Sequence, residues 1–231
     1  MRWRHFVLVM ILLLPASAFS QDGEVREASQ AGVRYPAAKA ELQSAVDTRL
    51  AAAGDARLQR RLFALVVPCD HYRLCSHVAA WAYKQAPKGA FDRVILIGPA
   101  HGAELDGFSV MDVSGFETPL GVVPLDEPVC GELRKHALHV PKPELQAAEY
   151  SLEVQLPFLQ RALGEFKLVP VLVGEVSQDE AFNIARALAG RVTGRTLIVV
   201  STNFAHYGEQ VGYVPFAENI EGNLRKLDLQ A

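Results

Sequence analysis

Two stretches decide the fold: RVILIGPAHG, residues 93–102, and TLIVVSTNFAHYG, residues 196–208. Each is a run of β-branched and aliphatic residues that ends abruptly in small and polar ones, with His101 or His206 just beyond. A strand buried on both faces of a parallel sheet reads as this kind of continuous apolar run. In open α/β sheets the ligand crevice lies outside the carboxyl ends of the strands. The two histidines are therefore expected at one crevice. Imidazole is the commonest metal ligand and a common general base, so the pairing points towards chemistry.

Working outward, LFALVV at 62–67 reads as a strand closed by Pro68, KLVPVLV at 167–173 as another, and residues 108–113 as a shorter one. Leu42, Val46 and Leu50 recur every four residues and predict a helix over 36–53. A second helix runs through Val78 and Trp81 and stops before Pro87. Asp126 is expected to cap a helix reaching about Leu138, and Ser151 to open one that Pro157 kinks or joins in its first turn. Ser177 with Glu180 forms a capping box for a helix ending near Gly190, and the tail from Glu218 has helical character. Strands alternating with helices predict an α/β protein with a largely parallel sheet.

The chain has 231 residues, half of them hydrophobic and 21% charged, with a net charge of −3. These values suit one domain with a real core. Arg2 and Arg4 precede an apolar run, residues 6–14, and then Pro15-Ala16-Ser17-Ala18, the pattern of a secretory signal peptide. The run is too short to cross a bilayer, which takes roughly 20 residues, and no later run is longer. The expected organisation is a signal peptide at 1–20, a polar linker at 21–32 and an α/β domain at 33–231. After cleavage at Ala18 or Ser20, the exported chain, periplasmic or secreted, would have no transmembrane segment. Losing two arginines makes the remainder more acidic, which leaves no electrostatic footprint for nucleic acid. Cys69, Cys75 and Cys130 are odd in number, so at least one stays unpaired in an oxidising compartment.

Three strand ends carry polar punctuation: Cys69-Asp70-His71, His101-Gly102, and Asn203 to His206. A cysteine and two histidines supply three ligands with an open position, the arrangement of a catalytic rather than a structural metal site. His71, two residues beyond Cys69, is an alternative third ligand if the segment stays extended, because side chains repeat every second residue. No phosphate-binding glycine loop, nucleophile elbow or CxxC pair is present.

The segments VILIGPAH (94–101), FETPLG (116–121), SLEVQLPF (151–158), LVPVLVG (168–174) and VVSTNFAHYG (199–208) resemble the Memo family, whose bacterial members are also called AmmeMemoRadiSam system protein B. REASQAGVRYP (26–36) is similar to the family's N-terminal segment. The resemblance implies a three-layer α/β/α fold like that of class III extradiol dioxygenases. It also implies an iron or copper pocket built from histidines, an aspartate and a cysteine, and partner proteins of the AmmeMemoRadiSam system. His101 and His206 match two of the family's histidines. Cys69 stands where the family has another histidine, Tyr150 where it has one in E-H-S-x-E, and Asn203 where it has the aspartate. The family's late cysteine has no counterpart, so the domain is expected to be truncated at its C-terminus.

These matches predict a remnant metal site with His101, His206 and Cys69 as ligands, and Asn203, His71, Tyr150 and Glu153 around them. An amide in place of a carboxylate orients an imidazole more weakly, so metal affinity is expected to fall. Glu149 and Glu153 lie four apart and face either the pocket or a solvated helix edge. The function expected is a metal-dependent oxidoreductase acting on a small molecule. The alternative is a non-catalytic binding or metal-delivery module on the same scaffold.

Overall fold

The computed structural model describes residues 23–54, 61–102 and 104–230. The signal-peptide stretch lies outside them. Eight strands and eight α-helices follow in order among the described residues: β1 (Val25–Arg26), α1 (Lys39–Ala52), β2 (Ala64–Val67), α2 (Tyr72–Tyr83), β3 (Arg93–Pro99), β4 (Phe108–Ser109), β5 (Gly115–Phe116), β6 (Val123–Pro124), α3 (Glu127–Leu133), α4 (Pro143–Ala148), α5 (Tyr150–Glu153), α6 (Leu156–Leu163), β7 (Lys167–Val173), α7 (Gln178–Ala189), β8 (Thr196–Ser201) and α8 (Ile220–Asp228). The architecture is three-layer α/β/α around a five-stranded sheet of order β2-β8-β3-β7-β4, parallel except for β4. A second, three-stranded sheet, β1-β5-β6, abuts β7, with Leu125 just after β6 bridging to Leu168.

The central strands β3 and β7 bury almost every residue, which is why they read as unbroken apolar runs. From β2 to β3 the chain moves one way along the sheet, and from β7 to β8 it moves back. Right-handed crossovers therefore set α2 and α7 on opposite faces. α1, α2 and α6 pack together on the α2 side. Strand β2 is an edge: Leu65 and Val67 are buried, whereas Val66, on the opposite face, is 57% exposed and Phe63 just before it 70%.

Several local expectations change. Asp126 stands at the N-cap of α3, but its carboxylate makes no capping bond and pairs instead with Arg93, 2.6 Å away; α3 ends at Leu133. The strand expected over 108–113 shrinks to Phe108–Ser109. The helix expected from Ser151 is two short helices, capped by Glu149, with Pro157 in the first turn of α6. Residues 23–32, polar in composition, belong to the folded body: β1 pairs with β5, and Arg26 is buried.

Candidate functional site: the strand-end crevice

The carboxyl ends of β2, β3 and β8 lie side by side, because β8 pairs with both of its neighbours. Asn203 ties two of them, its Oδ1 accepting the Cys69 backbone N–H at 3.0 Å. Gln155 adds a second tie, donating to the Pro68 carbonyl at 2.9 Å and to Ser201 Oγ at 2.7 Å, while its own oxygen accepts from Tyr83. Over β3 the short helix α5 lies almost on the backbone. A Cβ on Gly98 would fall 2.6 Å from Ser151 Oγ, closer than atoms approach, so glycine is what admits the helix there. Ser151 in turn donates to the Pro99 carbonyl at 3.1 Å.

That close approach delivers Glu149 and Tyr150 to His101. The buried Glu149 carboxylate accepts from the His101 backbone N–H at 2.7 Å and from the Ser151 N–H at 2.8 Å, and lies 3.0 Å from His101 Nδ1. A carboxylate can only accept, so Nδ1 carries a proton. On the far side of the ring, Nε2 lies 3.3 Å from the Tyr150 hydroxyl, and the two rings stack at 4.7 Å. Arg34 covers the other face of Tyr150, 3.5 Å from its centroid, and pairs with Asp70 at 3.0 Å. Burial, reinforced by Cys69, raises the Tyr150 pKa, so the phenol is neutral. The result is a layered stack, Arg34 on Tyr150 on His101, backed by Glu149.

The other candidates sit differently. Cys69 is buried, and burial pushes its thiol up to about 11, with Glu149 and Asp70 adding to the rise against a hydrogen bond from Ser201 that lowers it. A thiol binds metal as the thiolate, which burial disfavours in the metal-free chain. His71 is the N-cap residue just before α2, and its Nδ1 faces the Val33 carbonyl at 3.1 Å. His206 is exposed, with Nδ1 on the carbonyl of Phe204 at 3.1 Å. Among the described residues no group of three His, Cys, Asp or Glu side chains is placed to hold a metal ion. The donor set in this arrangement does not fit the metal that the resemblance implies.

Glu153 is fully buried and engaged away from His101. It pairs with Arg26 at 2.6 Å and accepts from Ser29 Oγ, the Gln30 N–H and the Tyr35 hydroxyl at 3.0, 2.8 and 2.5 Å. Arg26 also donates to the carbonyls of Gln146, Ala147 and Glu149. Glu153 thus straps residues 26–35 across the scaffold, and the strap carries Arg34 to Tyr150. Neither glutamate faces solvent.

A family profile described as Memo-like protein matches residues 26–231. The chain belongs to the Memo family. Curated relatives agree. The protein memo-1 homolog of Caenorhabditis elegans is 31% identical over 220 residues, covering 93% of this chain and 61% of the relative. Protein MEMO1 of Xenopus laevis is 32% identical over 201 residues, 84% of this chain and 67% of the relative. A MEMO1 family protein of Thermococcus kodakarensis is 31% identical over 218 residues, 89% of this chain and 75% of the relative. The chain thus spans between about three fifths and three quarters of the length of these relatives. No described helix is long and apolar enough to cross a membrane.

Proposed function

We propose that this Memo-family chain is a binding module whose strand-end crevice recognises a small polar molecule through His101 and Tyr150. The observation that carries this reading is the occupancy of His101. Nδ1 is held by Glu149, and the Tyr150 hydroxyl takes Nε2, the nitrogen a metal would need. The buried, protonated Cys69 supports it from the other side of the crevice. A ligand entering here would meet the half-exposed His101 edge and a phenol oxygen that can accept, its one O–H being given to Nε2. We further propose that the chain is exported, on the strength of its N-terminal sequence, and meets AmmeMemoRadiSam proteins where they share its compartment.

A second reading has its own observation. Cys69, Asn203 and His101 all stand at neighbouring strand ends. Rotation of Tyr150 would free Nε2 at a crevice whose rim also carries Cys69, two of the donors an iron- or copper-dependent oxidoreductase would need. Metal analysis decides between the two. Wild type, Tyr150→Phe and His101→Ala proteins are incubated anaerobically with ferrous, cuprous or zinc ions and then desalted. The binding-module reading expects less than stoichiometric metal in all three. Stoichiometric metal lost only in His101→Ala would overturn it in favour of the oxidoreductase.

A further inference from the structure

The two edges of the five-stranded sheet are finished differently. At the β4 edge the segment 138–140 closes the ladder: the Phe108 N–H donates to the Leu138 carbonyl at 3.0 Å, and the Val140 N–H to the Phe108 carbonyl at 2.8 Å. Outside β2 no strand lies among the described residues. The carbonyls of Phe63 and Val67 accept from Ile198 and Thr202 on the β8 side. Main-chain groups alternate in direction along a strand, so the N–H and C=O of Ala64 and Val66 point away from the sheet. Apolar side chains accompany this open ladder. Phe63 shares the sheet face of Leu65 and Val67, on which α2 packs, yet it is largely exposed. On α2, Leu74, Val78 and Trp81 recur at helical spacing and are each about half exposed, on the side that the sheet, α1 and α6 leave uncovered. The helix thus has two apolar faces, and only one is buried. Phe63 and the stripe together present on the order of 400 Å² of apolar surface, most of it from the two aromatics.

We propose that the β2 edge and the α2 stripe are the interface of a homodimer, in which the β2 strands of two copies pair antiparallel about a two-fold axis at Leu65. The register is self-complementary. It sets Ala64 of each copy against Val66 of the other, the outward-pointing residues, so each pair exchanges both of its N–H···O bonds. The stripe is centred at the same height. Because β2, β8 and β3 are parallel, the crossover helix α2 runs back along β2. From Tyr72 to Val78 it descends about 9 Å, against about 7 Å for the strand from Val67 to Leu65. The axis therefore brings Val78 opposite its own copy, with Leu74 opposite Trp81 on either side. A foreign partner would need both a strand and an apolar row at this spacing, whereas a second copy supplies both by symmetry. The patch covers about half of the ~800 Å² per partner that a standard interface buries, and the strand backbone and the exposed Val66 add to it.

The test is gel filtration with light scattering on the full chain across the micromolar range, joined to hydrogen–deuterium exchange. The proposal expects a dimer, with the Ala64 and Val66 amides gaining protection as concentration rises. Val66→Pro removes an N–H that the β8 ladder does not use, on an edge strand where proline is tolerated. It should weaken dimerisation at least about tenfold and leave the circular dichroism spectrum unchanged. Val78→Lys, at an exposed helix position that puts folding at no risk, sets two ammonium groups together at the axis and should weaken it likewise. A monomer at every concentration would overturn the proposal. So would a dimer that keeps its affinity in Val78→Lys or in folded Val66→Pro, because it would use another face. Protection of Ala64 and Val66 in a monomer would also overturn it, by showing that the chain covers its own edge, and so would open-ended larger species in place of a dimer.

Discussion

Glu153→Gln should destabilise the protein by about 3–5 kcal/mol, the usual cost of leaving one member of a buried ion pair uncompensated. The two side chains are 2% and 0% exposed, so solvent screening does not reduce the figure. The geometry places it at the upper end. Glu153 accepts four hydrogen bonds, two on each oxygen, and an amide must turn an N–H towards one of those donor pairs. Urea denaturation followed by circular dichroism measures the loss, and the melting temperature should fall by on the order of 10 °C. The pair Arg26→Met with Glu153→Leu should recover only part of it. Arg26 also serves three main-chain carbonyls at the end of α4, and these would be stranded. A loss below about 1 kcal/mol for Glu153→Gln would refute the reasoning, because that is the range of an exposed pair. Full recovery in the double variant would show that the carbonyls find other partners.

Three further outcomes follow from the site and its supports. Gly98→Ala should cost about 1–3 kcal/mol, because α5 must retreat from β3; the His101 imidazole resonances should shift with it, and an unchanged melting temperature would exclude the close approach. Cys69, with its thiol held at about 11 against an ordinary 9.0, binds its proton more tightly folded than unfolded. Its contribution is therefore complete below about pH 9 and is lost as pH rises to about 11; Cys69→Ser should flatten that alkaline fall in urea midpoint, and an unaltered slope would count against it. Under native conditions at neutral pH, iodoacetamide should modify Cys75, which is partly exposed, before the buried Cys69 and Cys130. Peptide mass analysis showing Cys69 modified first would contradict its burial.

The sheet was legible wherever burial leaves a mark on composition. Residues 167–173 were read to the residue, and the strands at 93–99 and 196–201 to within a few, because parallel strands covered on both faces admit little but aliphatics. The capping box at Ser177 and Glu180 was equally plain, since it is built within four residues. What could not be read depends on distant pairing. Asp126 resembles an N-cap in sequence, and only the fold brings Arg93 beside it. At the site, His101, Cys69 and Asn203 were recognisable as strand-end residues. For Glu149, the partner of His101, the sequence leaves the pocket and a solvated helix edge equally open, because the contact with His101 exists only in the fold. Its signal was positional: it immediately precedes Tyr150-Ser151, where a capping carboxylate is at home. Arg34 was missed altogether; it reaches Tyr150 only through a strap anchored more than a hundred residues away in sequence. His71 is the N-cap of α2, and its ring meets the Val33 carbonyl, a contact that only the fold creates.

The β2 edge bears on solubility as much as on stability. Ala64–Val67 itself carries neither lysine nor proline, Phe63 and Val66 are exposed, and among the described residues no strand pairs with its outer side. A chain that meets this rim with a strand of its own gains both hydrogen bonds and apolar cover.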